Sequence, residues 1–93
     1  MVTDQTARLL LKQMLTAAIS AADPSICLPS FLPSPPTGKT IVLGAGKAGA
    51  RMAETVEAQW KGPISGLVIV PYGYRSSCKD IEIVEASHPI PDD

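Results

Sequence analysis

The stretch Thr40–Ala53, TIVLGAGKAGARMA, decides the fold, because a short apolar strand leads through glycines directly into an amphipathic helix. Gly44 and Gly46 allow the backbone of this turn to approach a ligand closely, and the first amides of the helix carry a partial positive charge. Lys47 adds a full positive charge where a cation is unfavourable for an isolated helix, so an anionic partner explains it better. The stretch therefore predicts a loop that binds a phosphate or a carboxylate.

The spacing of this loop excludes the P-loop of nucleoside triphosphatases. That motif needs a glycine five positions before its Gly-Lys pair and a Ser or Thr after it. Ile41 and Ala48 occupy those two positions. A second Gly-Lys-Thr, at residues 38–40, precedes the strand, and Pro33 stands where its earlier glycine belongs. Neither run therefore predicts a P-loop.

A dinucleotide-binding loop is the second class that the glycines suggest. Gly44, Gly46 and Gly49 have the G-x-G-x-x-G spacing, between a strand and a helix as that motif requires. Such a unit also carries an Asp or Glu about 20 residues further on, at the tip of the second strand, for the ribose hydroxyls. Residues 69–72 read Ile-Val-Pro-Tyr, so this acid is missing, although Arg75 offers a cation for a 2′-phosphate. Close packing of helix and sheet is a second explanation of the third glycine, and it needs no nucleotide.

Composition and charge narrow the class of protein. The chain has 93 residues, 45% of them apolar, and a formal net charge of −1, which suits one small domain with a thin core. A near-neutral charge without a basic cluster argues against nucleic acid and against an anionic membrane surface as partners. Cys27 and Cys78 lack metal-ligand or disulfide spacing, and charged residues in the first apolar segment argue against a signal peptide or a spanning helix. We therefore expect a cytoplasmic protein with reduced thiols.

Periodicity along the chain predicts an α/β unit. A helix capped by Thr3 or Asp4 is expected over residues 1–22, followed by a proline-rich linker at 24–38 and a strand-helix-strand-strand unit at 39–93. Within that unit, the expected strands are 39–43, 65–71 and 81–86, and the expected helix is 47–61. The apolar run of the second strand suits a parallel sheet that is covered on both faces. The connection to the third strand is too short for a helical crossover, so that strand is either parallel, after an irregular loop, or antiparallel.

The segment SHPIPDD at residues 87–93 follows the third strand, in the region where ligands of open parallel sheets bind. His88 has two interpretations, a turn histidine or a group that transfers a proton or contacts phosphate. Asp92 and Asp93 offer carboxylates to magnesium, but a pair of acids in such a segment is also what a solvated loop carries. The run Tyr72-Gly73-Tyr74 predicts a turn with aromatic packing.

Four segments of the sequence resemble, in order and spacing, the N-terminal part of the glycerate 2-kinase family, many of whose members are named hydroxypyruvate reductase. These segments are AAISAADP at residues 17–24, VLGAGKA at 42–48, Met52-Ala53 and EASHPIPD at 85–92. The resemblance covers nearly the whole chain, and the combination of G-A-G-K-A with H-P-x-P-D makes it specific. Members of this family resemble a longer, two-domain α/β protein, with a Rossmann-like first domain and with ATP and glycerate in the cleft between the domains.

The resemblance implies an α/β, Rossmann-like three-layer unit with a mostly parallel sheet, of which this chain is a fragment without the second domain. It implies that Gly44, Gly46 and Lys47 bind the phosphates of ATP, with magnesium, and that Lys47 is catalytic. His88 and Asp92 then belong to the substrate or metal side of the cleft. We expect a glycerate 2-kinase that makes 2-phosphoglycerate and ADP from D-glycerate and ATP in the full-length protein, with the isolated chain inactive.

Two other functions stay open. An NAD(P)H-dependent hydroxypyruvate reductase is favoured by the G-x-G-x-x-G spacing and opposed by the missing acid. In the family that the sequence resembles, alanine is common at the position of Gly49, which makes the third glycine incidental to binding. A non-catalytic module that binds an anion is the other alternative, because the chain lacks most of the second wall of a cleft.

Overall fold

The computed structural model describes residues 2–93 and shows a three-stranded sheet with helices on one of its faces. The elements in chain order are α1 (Asp4–Ala22), α2 (Pro24–Cys27), a 3₁₀ turn (Pro29–Phe31), β1 (Thr40–Ala45), α3 (Gly49–Gln59), β2 (Ile64–Pro71) and β3 (Ile81–Ala86). The strands lie in the order β1-β2-β3, and β2 pairs in parallel with both neighbours. The predicted α/β class and the parallel sheet are therefore confirmed.

Helix α3 is shorter than the sequence predicted. The expected range was 47–61, but the helix occupies Gly49–Gln59, and β1 continues through Gly44. Gly46 separates the two elements, because its φ of +131° is a left-handed conformation that neither a helix nor a strand contains. Lys47 therefore lies in the turn between strand and helix and not in the first turn of the helix.

The segment 24–38 is not the extended linker that its prolines predicted, because α2 and the 3₁₀ turn lie within it. Asp23 begins α2: its carboxylate accepts hydrogen bonds from the backbone N and the hydroxyl of Ser25 at 2.9 and 2.8 Å. Pro24 has the φ that a first helical residue needs. Arg51 of α3 pairs with the same carboxylate at 3.3 Å, which joins the α1–α2 corner to α3. The Ser25 hydrogen bonds and the Arg51 guanidinium hold the pKa of Asp23 below its usual range.

The core lies between α3 and one face of the sheet. Its buried apolar residues are Ala50, Ala53, Val68, Val70, Ile81 and Ile83. Small residues on α3 let the helix approach the sheet closely, as dense packing requires. A Cβ atom at Gly49 would lie 2.8 Å from Cγ1 of Val68, closer than carbon atoms pack. Close packing is thus a sufficient reason for a glycine at this position.

The opposite face of the sheet is apolar and exposed. Its large side chains leave 37–77% of their surface exposed; they are Ile41, Leu43, Leu67, Ile69 and Val84. No residue of α1 is buried, and the radius of gyration of 17.5 Å exceeds the 13 Å or so of a compact domain of about 100 residues. Residues 2–93 therefore cover one face of the sheet, whereas the apolar run in β2 predicted cover on both. In this part of the chain, no helix combines the length and apolar character that crossing a membrane requires.

The connection from β2 to β3 resolves the direction that the sequence left open, because β3 is parallel to β2. Residues 72–80 return along α3 in irregular conformation, and an extended chain of this length reaches about 30 Å. Near the start of the helix, the Ser76 hydroxyl donates to the carbonyl of Ala50 at 2.9 Å. Near its end, the Glu57 carboxylate accepts hydrogen bonds from the consecutive amides of residues 79–81 at 2.6, 2.9 and 3.0 Å. The helix thus holds the connection at both ends.

We expect Glu57→Gln to lower the free energy of unfolding by about 1–2 kcal/mol at neutral pH, because an uncharged amide has one acceptor oxygen for three backbone donors. Burial raises the pKa of Glu57, but the three backbone hydrogen bonds and the Lys79 charge outweigh it, so the pKa lies below its ordinary value of 4.5. Because the pKa of Glu57 is lower in the folded than in the unfolded protein, its ionised carboxylate stabilises the fold fully above pH 4.5. This stabilisation is lost as the pH falls through the pKa that Glu57 has in the folded protein.

Urea unfolding over a series of pH values measures this effect. The difference between the wild type and Glu57→Gln should shrink below pH 4.5. Glu82→Gln, at an exposed position of β3, is the control and should show no comparable difference. A difference that stays constant through acidic pH would contradict the role of the Glu57 carboxylate.

We expect Gly66→Ala to destabilise the sheet, because a Cβ atom there would lie 2.0 Å from the carbonyl oxygen of Val42 and would force β1 and β2 apart. The free energy of unfolding should fall by about 1–3 kcal/mol or more, measured by urea unfolding followed by circular dichroism. Gly38→Ala is the matched control, since a Cβ atom at Gly38 meets nothing within 4 Å. Equal stabilities of the two variants would show that Gly66 is not a constraint on the sheet.

Candidate functional site

The carboxyl ends of the three strands meet at one edge of the sheet, because the strands are parallel. The register places Ala45 of β1 beside Ile69 of β2, and Pro71 of β2 beside Ala86 of β3. The segments at the carboxyl ends of the strands are therefore neighbours. They are the anion loop (residues 44–48), the central turn (71–74) and the C-terminal loop (87–93).

Gly46 sets the shape of the anion loop. Its amide donates to the carbonyl of Ile69 in β2 at 3.0 Å, and its own carbonyl accepts from the amide of Gly49 at 3.1 Å. The first bond joins the loop to the end of β2, and the second closes the turn into α3. A Cβ atom at Gly46 would meet nothing within 4 Å, so the space beside the loop is open to a ligand.

The start of α3 leaves backbone donors unpaired. Ala48 precedes the helix and provides no side-chain cap. Among residues 2–93, the amides of Lys47, Ala48, Ala50 and Arg51 donate to no backbone carbonyl. Unpaired amides at the positive end of a helix dipole favour an anion. Lys47 is exposed and, within the same residues, makes no ion pair, so its charge is available at this point.

Lys47 and His88, which are far apart in the sequence, line the same cavity of about 460 Å³. The other residues that line it are Pro71, Tyr72, Tyr74, Ser87 and Pro89. A smaller cavity of about 180 Å³ lies between the strand ends, with Gly46 on one side and His88 on the other. Gly44 lies beside this region and lines an apolar groove of about 440 Å³ together with Gly46 and Lys47. The structure thus brings the two predicted loops to one place.

Asp92 is joined to this edge through a tyrosine. Its Oδ2 accepts a hydrogen bond from the Tyr72 hydroxyl at 2.9 Å. This bond, together with the negative charges of Asp92 and Glu85, raises the pKa of Tyr72. In residues 2–93, no group of three or more His, Cys, Asp or Glu side chains is placed to hold a metal ion. The magnesium role of Asp92 therefore stays a prediction.

The sequence reasoning missed Tyr72 as a residue of the site. It predicted a turn at residues 72–74, which is confirmed, with Gly73 at a φ of +86°. It did not assign a partner to the tyrosine hydroxyl. The position of Tyr72 in the sequence could have indicated a role in the site, because it directly follows the carboxyl end of a parallel strand, where such sheets bind ligands.

The tip of β2 carries no carboxylate in the structure either. The strand ends at Pro71 and is followed by Tyr72, at the place where a nicotinamide-binding unit has its ribose-binding acid. Arg75, the cation considered for a 2′-phosphate, lines a cavity with Cys78 on the connection to β3 and does not line the cavity of Lys47 and His88. Among residues 2–93, this edge thus carries the glycine spacing between a strand and a helix, without the acid that completes the dinucleotide motif.

These features define an α/β domain with a candidate anion site at the carboxyl edge of a parallel sheet. Residues 10–93 match the model of a family described as a domain of unknown function, DUF4147. The chain belongs to this family, which is the N-terminal part of the glycerate 2-kinase family, as the sequence resemblance implied.

The following relatives have names that refer to two different activities. The chain is 45% identical over 91 residues to a protein of Agrobacterium vitis named "Putative hydroxypyruvate reductase". The aligned region covers 97% of this chain and 21% of that protein. It is 32% identical over 83 residues to the D-glycerate 2-kinase of Thermotoga maritima, covering 87% of this chain and 20% of the relative. The glycerate 2-kinase of Pyrococcus horikoshii is 39% identical over 56 residues, which are 60% of this chain and 12% of the relative. The chain therefore spans about a fifth, or less, of the length of these relatives.

A solved structure supports the fold. The crystal structure of the PH0495 protein from Pyrococcus horikoshii OT3 superposes with a TM-score of 0.73 at 29% sequence identity. The superposition covers 99% of this chain and 23% of that chain. The arrangement of helices and sheet described above is therefore similar to one part of a larger protein.

Proposed function

We propose that this chain is the nucleotide-binding part of a D-glycerate 2-kinase, which in its full-length form converts ATP and D-glycerate to ADP and 2-phosphoglycerate. One observation carries the proposal: Lys47 and the unpaired amides at the start of α3 lie together at the edge of the sheet where His88 also lies. Two relatives named as glycerate 2-kinases support the same activity.

The anion loop suits the phosphates of ATP by its donor set. Gly46 leaves open space for the ligand, Gly44 lines the groove beside it, and the amides of Lys47 and Ala48 are free to donate. The Lys47 ammonium group then stabilises the negative charge that shifts between oxygens as the phosphoryl group leaves the nucleotide. Magnesium, when it accompanies the nucleotide, supplies further positive charge and takes oxygen ligands from phosphate and carboxylate groups.

D-glycerate, in this proposal, occupies the His88 side of the cavity of about 460 Å³. The residues that line this cavity carry hydroxyl, imidazole and ammonium groups. In this proposal, these groups hold an alcohol and a phosphate next to each other. His88 contacts the hydroxy acid or takes the proton of its attacking hydroxyl. The second wall of the cleft would come from parts of the full-length protein outside these 93 residues. We place the enzyme in the cytoplasm, in keeping with its two unpaired cysteines and with relatives named as metabolic enzymes.

A hydroxypyruvate reductase is the second candidate. The relative with 45% identity carries that name, and the glycine spacing is the one that dinucleotide sites use. The absence of a carboxylate at the tip of β2 opposes it, and the contact between Gly49 and Val68 explains the third glycine by packing alone. The kinase is therefore the better supported of the two.

We expect Lys47→Ala in the full-length protein to lower kcat for ATP-dependent phosphorylation of D-glycerate by roughly 10²-fold, because one electrostatic contact to the transition state is lost. Thermal unfolding should be unchanged, since Lys47 is exposed. Lys39→Ala is the matched control, because Lys39 lies just before β1 at the opposite edge of the sheet. A well-folded Lys47→Ala enzyme with full activity would leave the lysine without a catalytic role.

A pair of assays separates the two candidate functions. The full-length protein should release ADP from ATP and D-glycerate, and should consume neither NADH nor NADPH when given hydroxypyruvate, because β2 lacks the acid that holds a nicotinamide ribose. The isolated chain should show no turnover in either assay, since one wall of a cleft does not align both substrates. Nicotinamide oxidation at the rate of an ordinary dehydrogenase, with no ADP release, would replace the kinase by the reductase.

A further inference from the structure

The C-terminal loop is attached to the rest of the molecule by a single hydrogen bond among residues 2–93. Inside the loop, the Ser87 hydroxyl donates to the carbonyl of Ile90. Outside it, the Tyr72 hydroxyl donates to Oδ2 of Asp92 at 2.9 Å, and no other hydrogen bond in this part of the chain joins the loop to another element. His88 and the residues that follow it are exposed, so packing adds little to hold the loop.

Tyr72 itself is held firmly to the sheet. Its amide donates to the carbonyl of Ala86 at the end of β3 at 3.2 Å. The next amide, of Gly73, donates to Oε1 of Glu85 at 3.3 Å, and the amide of Tyr74 closes the central turn on the carbonyl of Pro71 at 3.1 Å. The backbone of the central turn is therefore fixed to both β2 and β3, and its tyrosine hydroxyl extends this attachment to the loop beyond them.

The two halves of the candidate site share β2 as their common support. The anion loop is bonded to this strand through the Gly46 amide and the Ile69 carbonyl. The C-terminal loop is bonded, through Asp92, to the tyrosine that follows the same strand. His88 follows β3 by two residues, so its position relative to Lys47 depends on the pairing of β3 with β2 and on these two connections, one made by backbone atoms and one by a side-chain hydroxyl.

We propose that Tyr72 is a positioning residue of the site: its hydroxyl holds Asp92 and thereby sets His88 and the C-terminal loop opposite Lys47. The consequence for catalysis rests on the proposed function, in which the C-terminal loop contacts D-glycerate and the anion loop contacts ATP. Loss of the hydroxyl should then affect use of the hydroxy acid and leave nucleotide binding intact, because the anion loop has its own connection to β2.

The structural half of this proposal is tested on the full-length protein by NMR relaxation. In the wild type, backbone order parameters of Ser87, His88 and Ile90 should approach the value of about 0.85 that ordered backbone shows, and in Tyr72→Phe they should fall below about 0.6. Asp92→Ala should have the same effect, because it removes the other partner of the hydrogen bond. Tyr74→Phe is the matched control, since Tyr74 lines the same cavity and its hydroxyl bonds to no side chain among residues 2–93. Unchanged order parameters in Tyr72→Phe would overturn the proposal.

The catalytic half is tested in the full-length protein by steady-state kinetics. Tyr72→Phe should lower kcat/KM for D-glycerate by about 10-fold or more and change the KM for ATP by less than about twofold, because only the geometry of one substrate is disturbed. In the Asp92→Ala background, Tyr72→Phe should have no further effect, since the bond is already absent. Additive losses, or an equal loss for both substrates, would contradict a positioning role.

The two experiments distinguish a failure of the kinase proposal from a failure of the positioning proposal. If the full-length protein releases no ADP but Tyr72→Phe still loosens the C-terminal loop, the kinase proposal is wrong and the role of Tyr72 in holding the loop stands. If ADP release is normal in the wild type and the order parameters do not respond to Tyr72→Phe, the positioning role is wrong and the kinase proposal stands.

Discussion

The pairing of β2 with a parallel strand on each side is the interaction on which the rest of the structure depends. Because all three strands run in one direction, the anion loop, the central turn and the C-terminal loop emerge at the same edge. β2 and the turn that follows it also hold the two outer loops by hydrogen bonds, through the carbonyl of Ile69 and through the hydroxyl of Tyr72. Gly66 makes this arrangement possible, since any side chain there would collide with the backbone of β1. The site is therefore a consequence of the sheet and not of either loop alone.

Two of the three glycines of the G-x-G-x-x-G pattern, Gly46 and Gly49, serve different physical requirements. Gly46 adopts a left-handed conformation that ends β1 and opens the space beside the loop. Gly49 lies against Val68 and allows α3 to approach the sheet, a requirement that exists with or without a ligand. The G-x-G-x-x-G spacing, which is typical of a dinucleotide-binding motif, thus has two separate causes here: the turn conformation at Gly46 and the helix packing at Gly49. For this reason the spacing alone supports a nicotinamide cofactor less strongly than the missing acid at the tip of β2 opposes it.

The return from β2 to β3 shows how a parallel pair forms without a second crossover helix. An irregular connection has backbone amides that need partners, and burying them unpaired is costly. Glu57 satisfies three consecutive amides with one carboxylate, and Ser76 adds a contact at the other end of α3. Helix α3 therefore serves both strand connections: it is the crossover from β1 to β2 and the support for the chain from β2 to β3. The far face of the sheet and the apolar residues of α1 have no cover within residues 2–93.

The sequence by itself determined the features that depend on local chemistry. The glycines of the anion loop predicted a turn, and the apolar run of residues 65–71 predicted the second strand. A cap at Thr3 or Asp4 predicted the first helix, and the structure has Thr3 as the cap. These features depend on turn conformation, capping and periodicity, which act over a few neighbouring residues. Periodicity along the chain predicted the α/β class, and the four segments named above predicted the family to which the chain belongs.

Only the tertiary structure decided four other features. They are the direction of β3, the start of α3 after Lys47, the helical turns in the proline-rich segment and the hydrogen bond between Tyr72 and Asp92. Each depends on a contact between residues that are distant in the chain or on the exact path of the backbone. Glu57 accepts hydrogen bonds from the amides of residues 79–81 only when the connection lies along α3, and no periodicity in either segment predicts that contact. The hydroxyl of Tyr72 likewise gains a partner only because parallel strands bring two loops to one edge. Local sequence patterns specify conformation, whereas long-range pairing is specified by the packing of the whole sheet.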